Sequence, residues 1–145
     1  MYSDRGKYGL ENRVTIVKEM LERDELVRQY ASGRAAIVPS FFEGFGFPAS
    51  EAMACGLPVI ANAAGALPEV VGTDGRTGRL VPPRDAQAMA QAARDILFQF
   101  GKAKAMGKDA RRRVQDILRR EDPPGTLVNV FGCRVRPYNS RTRGG

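Results

Sequence analysis

The chain has 145 residues, 43% of them hydrophobic and 27% charged, the balance of one globular domain around one core. It holds no histidine and two widely separated cysteines, Cys55 and Cys133, which excludes a disulfide framework, a zinc cluster and any Ser-His or Cys-His nucleophile system within it. The net charge of +7 is uneven: residues 1–101 carry 11 Lys/Arg against 12 Asp/Glu, residues 102–145 carry 12 against 4.

Apolar runs alternate with amphipathic stretches. Arg13–Val17, rich in β-branched residues, predicts a strand. Asp24 opens a helix with Leu26, Val27 and Tyr30 on one face. Ala35–Pro39 predicts a second, buried strand. Pro48 to Cys55 reads as a short helix, with proline in its first turn and Gly56 just past its end. Leu57–Ala61 is a third strand, Gly65–Val71 a turn with one helical turn, and Thr77–Val81 a fourth strand stopped by Pro82-Pro83. Asp85 caps a helix through Met89, Ala92, Ile96 and Leu97, which Gly101 or Gly107 is expected to break. Lys108–Arg120 continues as a basic helix with Val114, Ile117 and Leu118 inward. After Asp122-Pro123-Pro124-Gly125 the pattern changes, and the Arg/Gly/Pro-rich end is expected to lack order. The organisation is therefore a domain over 1–122 and a basic tail over 123–145.

Strands alternating with helices predict an α/β fold, a parallel sheet of about four strands with helices on both faces. Such sheets bind ligands at the carboxyl ends of their strands. The most informative segment, Pro39 to Met53, starts at such an end and runs strand, glycine-containing loop, helix. Gly44 and Gly46 let the backbone approach a ligand closely. The amides of Phe47, Ala49 and their neighbours would gather at the helix start, where the helix dipole adds to their attraction for a phosphate or oxyanion. Glu43 and Glu51 flank the loop, and carboxylates accept from paired sugar hydroxyls. Donors between two carboxylates suit a nucleoside-diphosphate sugar. The spacing alone carries little, because Glu11 and Glu19 stand at the same interval with no glycine loop between them. Glu51 also reads as a first-turn carboxylate favoured by the helix dipole. Phe45 and Phe47 also read as core aromatics, and Arg111-Arg112-Arg113 as a solvated helix face.

Tyr30-Ala31-Ser32, Ile37–Ser40, Glu43–Pro48, Glu51–Gly56, Pro58–Ala61, Gly65, Pro68–Val71 and Thr77–Val81 resemble, in order and spacing, the carboxyl-terminal domain of family-4 retaining glycosyltransferases, two-domain B-type enzymes. The likeness covers roughly residues 10–120. It implies an incomplete Rossmann-like domain that binds a nucleoside-diphosphate sugar and transfers the sugar to an acceptor hydroxyl with retention. It implies that Glu43 contacts the transferred sugar and stabilises charge in the transition state, and that Glu51 holds the ribose hydroxyls. The Gly44–Phe47 backbone would lie along the diphosphate, with Ala49 among the donor-binding positions and Lys18 to Met20 facing the base. No cofactor or metal is expected.

The resemblance further implies a partner acceptor domain and opening βα units that the sequence does not match, so this chain is expected to be insufficient for transfer alone. A glycine usual after the first matched strand is Lys18 here. An exposed sheet edge is expected to favour self-association. No apolar run approaches the ~20 residues of a membrane helix, and Met1–Lys7 is polar, so a cytoplasmic location is expected, with the inner membrane face a further option. Two alternatives stand beside this reading: a non-catalytic nucleotide-binding remnant, favoured by the unmatched opening strands, and, from the basic end alone, a protein for anionic membranes or nucleic acid. The Arg run lacks the interleaved aromatics that stack bases.

Overall fold

A computed structural model describes residues 4–121 of the chain. The elements in order are α1 (Asp4–Lys7), α2 (Arg23–Ser32), β1 (Ala36–Val38), α3 (Phe47–Ala54), β2 (Val59–Asn62), α4 (Leu67–Val71), β3 (Gly78–Val81), α5 (Ala86–Phe98) and α6 (Phe100–Glu121). The three strands form one parallel sheet in the order β1-β2-β3. Ala36 lies opposite Val59, and Ile60 opposite Arg79. The fold is the expected α/β layer, with three strands rather than four among the described residues.

Side chains alternate across the pleat, so the central strand feeds two cores. Val38, Val59 and Ala61 face α3, α4 and the second half of α6, meeting Met53, Leu67, Val71, Ala110 and Val114. Ile60 and Val81 face the other way, onto Ala92 and Ile96 of α5 and Ala103 and Met106 of α6. All four residues of β2 are buried, as a central parallel strand covered on both faces requires. Met53, Ile60, Leu67, Val59 and Val71 are the largest fully buried side chains among the described residues. Burying each contributes about 1.5–3 kcal/mol.

Local chemistry sets the helix ends. The Asp85 side chain accepts from the Ala88 amide at 2.8 Å and starts α5. At the end of α3 the Leu57 amide bonds the Ala52 carbonyl and the Gly56 amide bonds the Met53 carbonyl. With Gly56 at φ +81°, this is a Schellman ending.

The expected strand at Arg13–Val17 is not formed. Residues 14–18 are irregular, and Val14 and Val17 are 39% and 49% exposed. β-branched residues favour extended backbone, but a strand exists only as part of a ladder, and no strand lies beside this segment among the described residues. The expected buried strand at Ala35–Pro39 forms, but as a sheet edge: α5 packs on β2 and β3, leaving Ile37 half exposed.

The helix break expected at Gly101 or Gly107 falls instead at Gln99, and α6 runs through both glycines. Gly107 is a packing residue: a Cβ there would lie 2.0 Å from the Gly56 carbonyl oxygen. Arg113 is half-buried rather than free in solvent. Its Nε and Nη2 donate to the carbonyls of Val70 and Glu69 at 2.8 and 2.7 Å, closing the C-terminal end of α4. Arg113→Ala removes both bonds, the one to Val70 part-buried, and is expected to cost about 1–2 kcal/mol, read as the midpoint shift in urea; Arg113→Lys, with one point donor in place of a fork, is expected to recover part of it. The basic tail 123–145, and Cys133 with it, lies outside the described residues.

Candidate functional site

The loop leaving β1 is held at three points. The Glu43 carboxylate turns back to accept from the Gly46 amide at 3.1 Å. The Glu43 carbonyl accepts from the Ala66 amide, in the loop after β2, at 2.9 Å. Gly65 packs so tightly below it that a Cβ would sit 2.2 Å from that carbonyl oxygen. Gly46 itself adopts φ +72°, and a Cβ there would meet Val70 at 2.9 Å. Residues 43–46 are thereby stapled to α4 and its preceding turn, at the carboxyl end of the sheet.

Gly46 is the N-cap of α3 and has no side chain to cap it. The Ser50 amide, bonded to the Gly46 carbonyl at 2.9 Å, is the first to find an intrahelical acceptor. The amides of Phe47 and Ala49 precede it, and Pro48 has none, so the helix start keeps its donors for a ligand. The Ala49 side chain is fully buried in the core, so only its backbone is available to a ligand.

Glu51 lies past the first turn of α3, which contains no acid. The helix dipole therefore does little for it, against the first-turn alternative. It is held instead by Tyr30 of α2, whose hydroxyl donates to Oε2 at 3.2 Å. Burial, then the neighbouring Glu51 charge, pushes the Tyr30 phenol up to about 12.

Phe45 and Phe47 are not core aromatics: they are 75% and 55% exposed and stack on one another with centroids 5.5 Å apart. Gly44 between Glu43 and Phe45 is exposed, and a Cβ there would meet nothing within 4 Å beyond its chain neighbours. Lys18 and Met20 lie in the irregular segment before α2, and Met20 is 98% exposed. No hydrogen bond or ion pair joins either to the Glu43 loop among the described residues. No group of three His, Cys, Asp or Glu side chains is placed to hold a metal ion among them either.

Three features of this end were not legible in sequence. Tyr30 reads as core by its helical spacing, but its hydroxyl reaches Glu51 across 21 residues. Val70 is the surface against which Gly46 is fitted. A cavity of about 370 Å³ opens between Pro39, Phe41, Asn62, Arg84 and Met89. Arg84 borders it in the left-handed region at φ 66°, with its guanidinium 5.8 Å from the Phe41 ring centre.

The family profile of group 1 glycosyl transferases matches residues 2–99. The chain belongs to the group 1 glycosyltransferases. Among its relatives in this family, the MMP alpha-(1->4)-mannosyltransferase of Mycolicibacterium hassiacum is 39% identical over 111 residues, 77% of this chain and 27% of that protein. The C-terminal domain of a group 1 glycosyl transferase from Francisella tularensis superposes with a TM-score of 0.72 at 27% identity, over 79% of this chain and 58% of that one. HepE of Anabaena, solved in complex with UDP, superposes with a TM-score of 0.71 at 28% identity, over 79% of this chain and 31% of that one. The chain spans about a quarter of the length of the curated relatives it matches. Its three-strand sheet and flanking helices are the B-type glycosyltransferase fold over the matched part. No described helix is long and apolar enough to cross a membrane.

Proposed function

We propose that this chain supplies the donor-binding side of a retaining glycosyltransferase, moving a sugar from a nucleoside diphosphate to an acceptor hydroxyl. The observation that carries this reading is the stapled Glu43–Gly46 loop opening onto the uncapped start of α3. Fixed amide donors at a helix start favour the diphosphate, and no reorganisation is needed when charge develops on the leaving group. The UDP held by HepE supports a nucleotide as the occupant.

In this proposal the backbone of Gly44, Phe45, Gly46, Phe47 and Ala49 lies along the diphosphate and sugar. Glu43, its side chain steadied by the Gly46 amide, faces the transferred sugar and stabilises the positive charge that grows at the anomeric carbon. Glu51 accepts from the ribose hydroxyls. Lys18 and Met20 border the base. Charge on the diphosphate is met by amides and a helix dipole, without a metal ion. The acceptor and its binding surface belong to a partner domain of the kind found in two-domain relatives.

Calorimetric titration of the full chain with UDP, GDP and ADP tests this. One of them is expected to bind, and Glu51→Ala is expected to weaken it roughly tenfold to a hundredfold, the worth of hydrogen bonds to a charged group. Absence of binding to all three, with salt-sensitive binding to RNA or anionic vesicles instead, would put the basic helix in place of the loop as the functional surface.

A further inference from the structure

We infer that Tyr30 is the positioning residue for Glu51, and that through it the site prefers ribonucleotides to 2′-deoxyribonucleotides. The inference rests on the proposed role of Glu51 toward ribose.

Glu51 sits on α3 and Tyr30 on α2, two helices joined by no short connection. Their side chains meet in a partly buried hydrogen bond of 3.2 Å, phenol to carboxylate Oε2. The tyrosine ring packs against the core that also contains Ala49, Ala52 and Met53 of α3. It is a stiff lever with two side-chain torsions, anchored at its ring and presenting one polar atom. The glutamate it grips has three torsions and would otherwise sample several orientations at a helix surface. One tyrosine bond uses one of about four lone-pair positions on the carboxylate, which leaves Oε1 and the rest of Oε2 for a ligand.

The donor is durable as well as rigid. With the phenol pushed up to about 12, it keeps its proton at every pH near neutrality. The grip on Oε2 is therefore constant. A carboxylate so fixed accepts only, and its natural complement is a neighbouring pair of hydroxyls. A site arranged to bond a hydroxyl discriminates against the analogue that lacks it, since the acceptor is then left without its partner.

The experiment is a matrix of titrations on the full chain: wild type, Tyr30→Phe, Glu51→Gln and the double variant, each against UDP, 2′-deoxy-UDP, GDP and 2′-deoxy-GDP. Thermal melts of all four proteins run in parallel. For the base that binds, wild type is expected to prefer the ribonucleotide by roughly tenfold. Tyr30→Phe is expected to bring that ratio to about threefold or less, weakening the deoxynucleotide, which keeps only its 3′-hydroxyl, less than the ribonucleotide. In the Glu51→Gln background, Tyr30→Phe is expected to add nothing further, because the two groups act as one unit. Equal weakening toward both nucleotides, tracking a lower melting temperature, would make Tyr30 a packing residue only and overturn the inference. So would an unchanged ratio. A wild type that binds the ribo and deoxy forms alike removes the ribose role of Glu51, and a wild type that binds none removes the nucleotide reading itself; either takes the inference with it, and each is visible before any variant is made.

Discussion

Gly107→Ala is expected to lower the melting temperature of this chain by roughly 10 °C, while Gly101→Ala, six residues earlier in the same helix, is expected to leave it unchanged or raise it. Helix propensity alone favours both changes, by up to about 1 kcal/mol each. Contact separates them. A Cβ at Gly101 meets nothing within 4 Å, whereas one at Gly107 meets the Gly56 carbonyl oxygen at 2.0 Å and its carbon at 3.0 Å. The obstructing atoms are backbone, and that backbone is fixed by the Schellman ending of α3, so no side chain can swing aside. Relief requires α6 to lift from α3, which separates Ala110 and Val114 from the core they share with Met53. A penalty of about 3 kcal/mol or more follows, at the upper end for overpacking. Circular-dichroism melts of the two variants check this, and equal shifts for both would show that α6 does not depend on the close approach at Gly107.

Gly65→Ala is expected to weaken nucleotide affinity by at least about thirtyfold, at a smaller cost in stability than Gly107→Ala. The residue holds φ +54°, which any Cβ resists at about 1–2 kcal/mol. That strain is shared by Gly9 at φ +62°, where a Cβ would meet nothing, so Gly9→Ala is the matched control. At Gly65 the Cβ would fall 2.2 Å from the Glu43 carbonyl oxygen and 3.1 Å from the Glu43 nitrogen. The loop must move, and with it go the bond from the Ala66 amide and the arrangement that turns the Glu43 carboxylate onto the Gly46 amide. A displacement near 1 Å is enough to lose a pre-organised site. The measurement is titration of Gly65→Ala and Gly9→Ala with the nucleotide that binds wild type, beside their melts. Retained affinity in Gly65→Ala would separate the stapled loop from the binding surface.

What was legible in sequence was local. Asp85 starts α5, Pro48 sits in the first turn of α3 and Gly56 ends it, because caps and turns are written in the few residues that make them. The glycine loop after β1 was legible for the same reason: its glycines and flanking acids are contiguous. What failed was whatever depended on a distant partner. The valines at 14 and 17 carry strand propensity without a neighbouring strand to pair with. Gly107 reads as a breaker until α3 is seen against it. Arg113 reads as a wet cation until the carbonyls 43 and 44 residues away are found under its guanidinium. Phe45 and Phe47 are as apolar as core residues, but one stands in the loop and the other at the first position of α3, and both side chains point away from the core.

The path of α6 has a mechanical consequence. Its early residues, Ala103 and Met106, belong to the layer under α5, and its later ones, Ala110 and Val114, to the layer under α3. One continuous rod is thus keyed into both sides of a sheet only three strands wide. Neither side can loosen by itself without bending that rod, so the domain should open as a single cooperative body and present the Glu43–Gly46 loop on a rigid chassis.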